Sequence, residues 1–138
     1  ELNQQEGYEA ARLCIINGLA AVKAELGNLE RIRRILKIVG YVASEEGFFC
    51  QPQVMNGASD LLVDIFGDNG KHARVAVGVA ELPENVPVEI ELVLEIKNTE
   101  EINELDQDRI SDHLLNRIEQ KKKTTNRNRG PYRKATVA

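Results

Sequence analysis

The sequence predicts an α+β domain, a mixed sheet with two helices packed on one face. Three observations carry this. Apolar residues recur at spacings of three and four over 4–26 and again over 52–66. Alternating or β-branched runs occupy 31–43, 75–80 and 88–96. The order is helix, strand, helix, strand, strand, and a segment of different composition follows from Asn98.

Each element has its own reason. In the first helix Ala11, Cys14, Ile15, Gly18, Val22 and Leu26 form one stripe, with Gly18 expected to admit another backbone closely and Gly27 to end the helix. Over 31–43, Leu36, Ile38, Gly40 and Val42 make the more apolar strand face; Ile35, Lys37, Val39 and Tyr41 make the other. Pro52 suits the first turn of the second helix, where a missing N–H costs nothing. Val54, Ala58, Leu61, Leu62 and Ile65 are its expected stripe, and Gly67 its cap. The run Val75–Ala80 is short and β-branched. Val88, Ile90, Leu92, Leu94 and Ile96 alternate with Glu89, Glu91, Val93 and Glu95, which predicts a strand with one buried face.

Composition bounds what such a domain can be. A chain of 138 residues holds one domain with a modest core. No run is long and apolar enough to span a membrane, and the polar, acidic start shows no signal peptide. Cys14 and Cys50 have neither metal spacing nor a disulfide framework, so buried thiols in a reducing cytoplasm are expected. Residues 1–97 carry nine Lys/Arg against fifteen Asp/Glu; residues 98–138 carry nine against seven. Seven basic residues and no acid lie between Lys121 and Lys134, the one segment suited to a phosphate backbone. The tail is expected to be helical over 100–122, with a break at Ser111-Asp112, and disordered from 124.

The chemistry-bearing stretch is His72-Ala73-Arg74-Val75-Ala76-Val77-Gly78-Val79-Ala80-Glu81-Leu82-Pro83, followed by Val88-Glu89-Ile90-Glu91. Arginine offers a planar fork that grips a carboxylate through two charge-assisted hydrogen bonds. Arg74 with a carboxylate beside it therefore suits a small anionic substrate. Plainer readings stand alongside. Arg74 pairs at the surface with Glu89 or Glu91, and the glutamates are the wet side of a sheet. Asn56 is an exposed helix residue, and His72 is a turn histidine with no partner.

Taken with Glu6-Gly7-Tyr8-Glu9-Ala10-Ala11-Arg12-Leu13-Cys14, with Arg31–Gly40, and with Gln51–Leu62 and its Asn56, this stretch resembles the RidA/YjgF family, its longer branch especially. The resemblance covers residues 4–97. It implies a chorismate-mutase-like subunit of a homotrimer, with sites in clefts between copies. The implied activity is hydrolysis of reactive 2-enamines and 2-imines to 2-oxo acids and ammonia, without metal or organic cofactor. Arg74 would hold the substrate carboxylate and Glu89 would position or activate water. Asn56, Phe48 and Ala76 would contact substrate, Ala76 standing where well-studied branches carry cysteine. The family's two opening strands have no counterpart here, so 1–97 is expected to be a domain without that pair and 98–138 an unassigned tail. The alternatives are a non-catalytic 2-oxo acid binding or regulatory module, a truncated inactive member, and nucleic-acid binding through 121–134.

Overall fold

Asn3 starts the first helix. Its side chain accepts from the Glu6 N–H at 3.0 Å, and the Glu6 carboxylate accepts from the Asn3 N–H at 2.8 Å. This capping box satisfies two donors that a helix start leaves orphaned. In the computed structural model, which describes residues 2–127, the elements are α1 (Gln4–Leu26), β1 (Ile32–Ala43), α2 (Gln51–Phe66), β2 (Ala73–Val79), β3 (Val88–Ile96) and α3 (Thr99–Arg127). The chain divides after Lys97 into two units.

The first unit is α+β, with a three-stranded mixed sheet in the order β2-β1-β3. β1 runs parallel to β2 and antiparallel to β3. A parallel pair needs a crossover, and α2 supplies it. Along β1, Val39 lies beside Val75 and Glu91, and Tyr41 beside Val77 and Glu89. Those residues face away from the helices. On the other face Ile38 and Val42 are buried beneath α1 and α2 with Ala11, Ile15, Leu19, Val54, Ala58, Leu62 and Val88.

β1 departs from strict alternation. Its register with β3 slips between Ile32 and Arg34 and again between Ile35 and Lys37. An extra residue in a strand resets which face follows. Ile32, Ile35 and Ile38 therefore all enter the core, while Leu36, expected inside, is exposed. Period two holds from Ile38 through Gly40 to Val42.

Two glycines set how closely α2 approaches its neighbours. Met55 is fully buried across Gly40, where a Cβ would collide with the thioether. Gly57 lies against the Tyr8 backbone carbonyl, where a Cβ would have no room. Met55 thus joins the buried face, and Ile65, expected there, is exposed. Gly18 plays no such part: nothing lies within 4 Å of a Cβ built there. The close helix contact sits one end away from where it was expected, and Leu19 rather than Gly18 is buried. Tyr8 also donates to Asp60 Oδ2 at 3.0 Å, linking the two helices. That hydrogen bond, aided by burial and the Asp60 charge, raises the Tyr8 phenol above its usual pKa. At the far end of β3 Ile96 is exposed, contrary to the alternation.

In the second unit Asn98 and Glu101 form another capping box, both bonds 2.9 Å. No glycine or proline interrupts residues 98–127, so α3 continues through Ser111-Asp112 and past 122 to Arg127. Disorder expected from 124 is corrected over 124–127; residues 128–138 lie outside the described residues, as do the side chains of the basic run from Lys121. Ile110, Leu114, Leu115 and Ile118 of α3 are exposed.

Two outcomes follow for stability and reactivity. Urea unfolding of Gly57→Ala should show a loss of about 1–3 kcal/mol from overpacking, whereas Gly18→Ala should gain up to about 1 kcal/mol from helix propensity. Cys14 is half-buried and donates to the Val88 carbonyl at 3.3 Å. Burial, then the Glu89 charge, raises its thiol pKa. Cys14 should therefore alkylate with iodoacetamide more slowly at pH 8 than glutathione does, read by mass spectrometry of the Cys14 peptide.

Candidate functional site

Arg74 is the second residue of β2 and pairs with buried Ile38. Neighbouring residues across a ladder share a face, so Arg74 leaves the sheet on its helix side, at the β2 edge. Asn56 and Ser59 stand one helical turn apart on α2 and point to the same place. Arg74 Nη1 donates to Asn56 Oδ1 at 2.8 Å and to Ser59 Oγ at 3.2 Å. Both hydrogens of that amino group are thereby used. Nε–H and the other amino group have no protein partner among the described residues, and the side chain is exposed. These two remaining groups form one edge of the fork, the edge that accepts a carboxylate side-on. Arg74 is thus no surface partner of Glu89 or Glu91, and Asn56 is no idle helix residue.

His72 immediately precedes β2 and is not the unpartnered turn histidine its position suggests. Its Nδ1 contacts the Gly70 carbonyl at 2.5 Å, and its Nε2 lies 3.1 Å from Ser59 Oγ. Gly70 itself is buried against the Leu62 backbone at the end of α2, where a Cβ would not fit. Ser59 is the site residue that sequence reasoning missed. The only signal available was its spacing of three from Asn56, which carries meaning only once Arg74 is known to face α2.

The other expected residues lie elsewhere. Glu89 pairs with Tyr41 on the sheet face away from the helices, and on β3, with β1 between it and β2. The expectation that Glu89 stands beside Arg74 in one cleft fails within a single chain, because the two strands are not neighbours and the two side chains take opposite faces. Ala76 shares the Arg74 face, pairs with Gly40 and packs partly buried against the core. Phe48 follows β1 and lines a cavity of about 210 Å³ with Gly7, Val42, Ser44, Val54 and Val88. Arg74 is not in that lining. Among the described residues no group of three or more His, Cys, Asp or Glu is placed to hold a metal ion, and no helix is long and apolar enough to cross a membrane.

Comparison with known proteins bears on this arrangement. The family model described as "YjgF/chorismate mutase-like, putative endoribonuclease" matches residues 1–96. The chain is 43% identical over 98 residues to Protein TCP17 of Trypanosoma cruzi, covering 70% of this chain and 61% of that one. Among solved structures, Atu1372 of Agrobacterium tumefaciens, of unknown function, is 47% identical with a TM-score of 0.69. It matches 70% of this chain and 62% of its own. A Shewanella oneidensis protein described as a putative endoribonuclease is 33% identical with a TM-score of 0.67, covering 70% of this chain and 64% of that one. The chain spans less than two thirds of the length of each of these relatives. A family match across residues 1–96, with the same fold in relatives of 33–47% identity, shows that the chain belongs to the RidA/YjgF family.

Proposed function

We propose that residues 1–97 hydrolyse reactive 2-imino acids to 2-oxo acids and ammonia, with Arg74 gripping the substrate carboxylate. The observation that carries this is the division of labour within one guanidinium. Its Nη1 is spent on Asn56 and Ser59 of α2, and its Nε edge is left for an anion. An arginine anchored at one end loses less freedom on binding than a free one. The chemistry asks little more than a held substrate, a water and a proton carrier. Water adds to the imine carbon while a carboxylate takes one of its protons and passes it to nitrogen; the remaining hydroxyl proton then follows the same route as the C–N bond breaks, leaving a 2-oxo acid and ammonia.

Glu89 is our candidate for that carboxylate, contributed by a neighbouring copy. Arg74 and Glu89 face opposite sides of one sheet, so a site using both closes only between chains. A homotrimer is proposed on the same grounds. Val75, Val77 and Val93 are 43%, 39% and 40% exposed on the uncovered sheet face, and a sheet that buries one face only normally keeps the other polar. A second reading rests on the same separation: without Glu89 at hand, Arg74 and Asn56 make a 2-oxo acid binding module without turnover. We place the protein in the cytoplasm, where such intermediates arise, and assign it no metal or organic cofactor.

Kinetics decide between these readings. With imines generated by a dehydratase acting on threonine, Arg74→Ala should lower kcat/KM about ten- to a hundred-fold, the worth of a hydrogen bond to a charged group. Arg74→Lys should recover little, since an ammonium lacks the fork. Wild-type protein that does not accelerate imine loss above buffer, yet binds 2-oxobutyrate, leaves the binding module. Light scattering should give three times the chain mass. If the site spans copies, mixing the impaired Arg74→Ala and Glu89→Gln chains after partial denaturation should raise activity in the mixed assemblies above that of either variant alone. No recovery in confirmed mixed trimers would overturn the site shared between copies.

A further inference from the structure

We propose that Ser59 and His72 are positioning residues that fix the Arg74 guanidinium through a one-way chain of hydrogen bonds from the Gly70 carbonyl. Each step dictates the next. The Gly70 oxygen can only accept, so His72 Nδ1 carries the proton of that 2.5 Å contact. A neutral imidazole then has a bare Nε2, which accepts. The Ser59 hydroxyl, 3.1 Å away, must donate to it. With its proton committed there, Ser59 Oγ presents lone pairs to Arg74 Nη1 at 3.2 Å. The start of the chain is rigid, because Gly70 is lodged against the Leu62 backbone.

Without His72 the Ser59 hydroxyl could turn its proton toward Arg74 or back to the carbonyl one turn earlier in α2. One of the two anchors of Nη1 would then be lost part of the time. Asn56 alone holds the amino group at one point, about which the guanidinium plane can swing. Ser59 supplies the second point, and two points set the direction of the open Nε edge. Ser59 Oγ is engaged on both sides, donating to His72 and accepting from Arg74, which makes it a link rather than a free nucleophile.

This inference rests on the reading of Arg74 as the carboxylate anchor, and the tests separate the two. The full chain has two histidines, His72 and His113, so a His113→Gln variant assigns their signals. Long-range ¹H–¹⁵N correlation of the ¹⁵N-labelled protein should show His72 protonated at Nδ1 and bare at Nε2. The Arg74 Nε–H resonance should move in Ser59→Ala and in His72→Phe but stay in Ser59→Thr, which keeps the hydroxyl. Calorimetry with 2-oxobutyrate should show both disruptive variants binding about ten-fold more weakly, with unchanged melting temperatures. Neither should weaken binding further once Arg74 is alanine. A His72 ring protonated at Nε2, or an Arg74 signal indifferent to both variants, overturns the relay. Should 2-oxobutyrate fail to bind wild-type protein, the carboxylate reading falls and the resonance shifts alone judge the relay. If His72→Phe does not fold, Ser59→Ala and the tautomer of the wild-type ring decide the same question.

Discussion

Met55 lying across Gly40 is the contact on which the rest of the domain depends. A side chain at position 40 would lift α2 off the central strand. Because Gly40 has none, α2 sits low, and its successive faces each meet a different neighbour. Val54 meets Gly7 and Gly57 meets Tyr8, both on α1, while Ala58, Leu61 and Leu62 join the buried core. Asn56 and Ser59 are left facing the β2 edge, at the height where Arg74 emerges. Packing at the middle of the sheet thus decides where a hydrogen-bond donor is held at its rim.

Much of this was legible in the sequence because periodicity reports burial directly. Both helices and the three strands of the first unit follow from spacing alone. What escaped was whatever depends on a partner distant in sequence. The slips in β1 that bring Ile35 inside arise from pairing with β3, which no pattern within 31–43 reveals. Gly18 and Gly57 look alike as helix glycines; only the Tyr8 carbonyl distinguishes them. His72 looked idle because one of its partners is a backbone carbonyl, invisible to any reading of side chains, and the other lies thirteen residues back on α2.

The candidate site shows a related effect. Arg74 and Glu89 stand in consecutive strands and are separated by a short loop, which suggests adjacency. In the sheet order β2-β1-β3 the earlier strand intervenes. Side chains that neighbour each other along the chain then serve different faces, and Phe48 serves a third region. Family resemblance identified the residues; topology determines which of them one copy can bring together. Arg74 with Asn56 belongs to a single chain, whereas any partnership with Glu89 is a matter of assembly.

The turn from Gly67 to His72 has a consequence for how this domain tolerates change. It joins the last turn of α2 to the first residues of β2, and Gly70 is pressed against Leu62 within it. Adding or removing a single residue there would advance β2 by one place against β1. Strand side chains alternate with a period of two, so such a slip exchanges faces. Arg74 would then point among the exposed valines, and Val75 would meet Asn56. The turn is a ruler graduated in pairs: its length, more than its composition, keeps the cation on the helix side of the sheet.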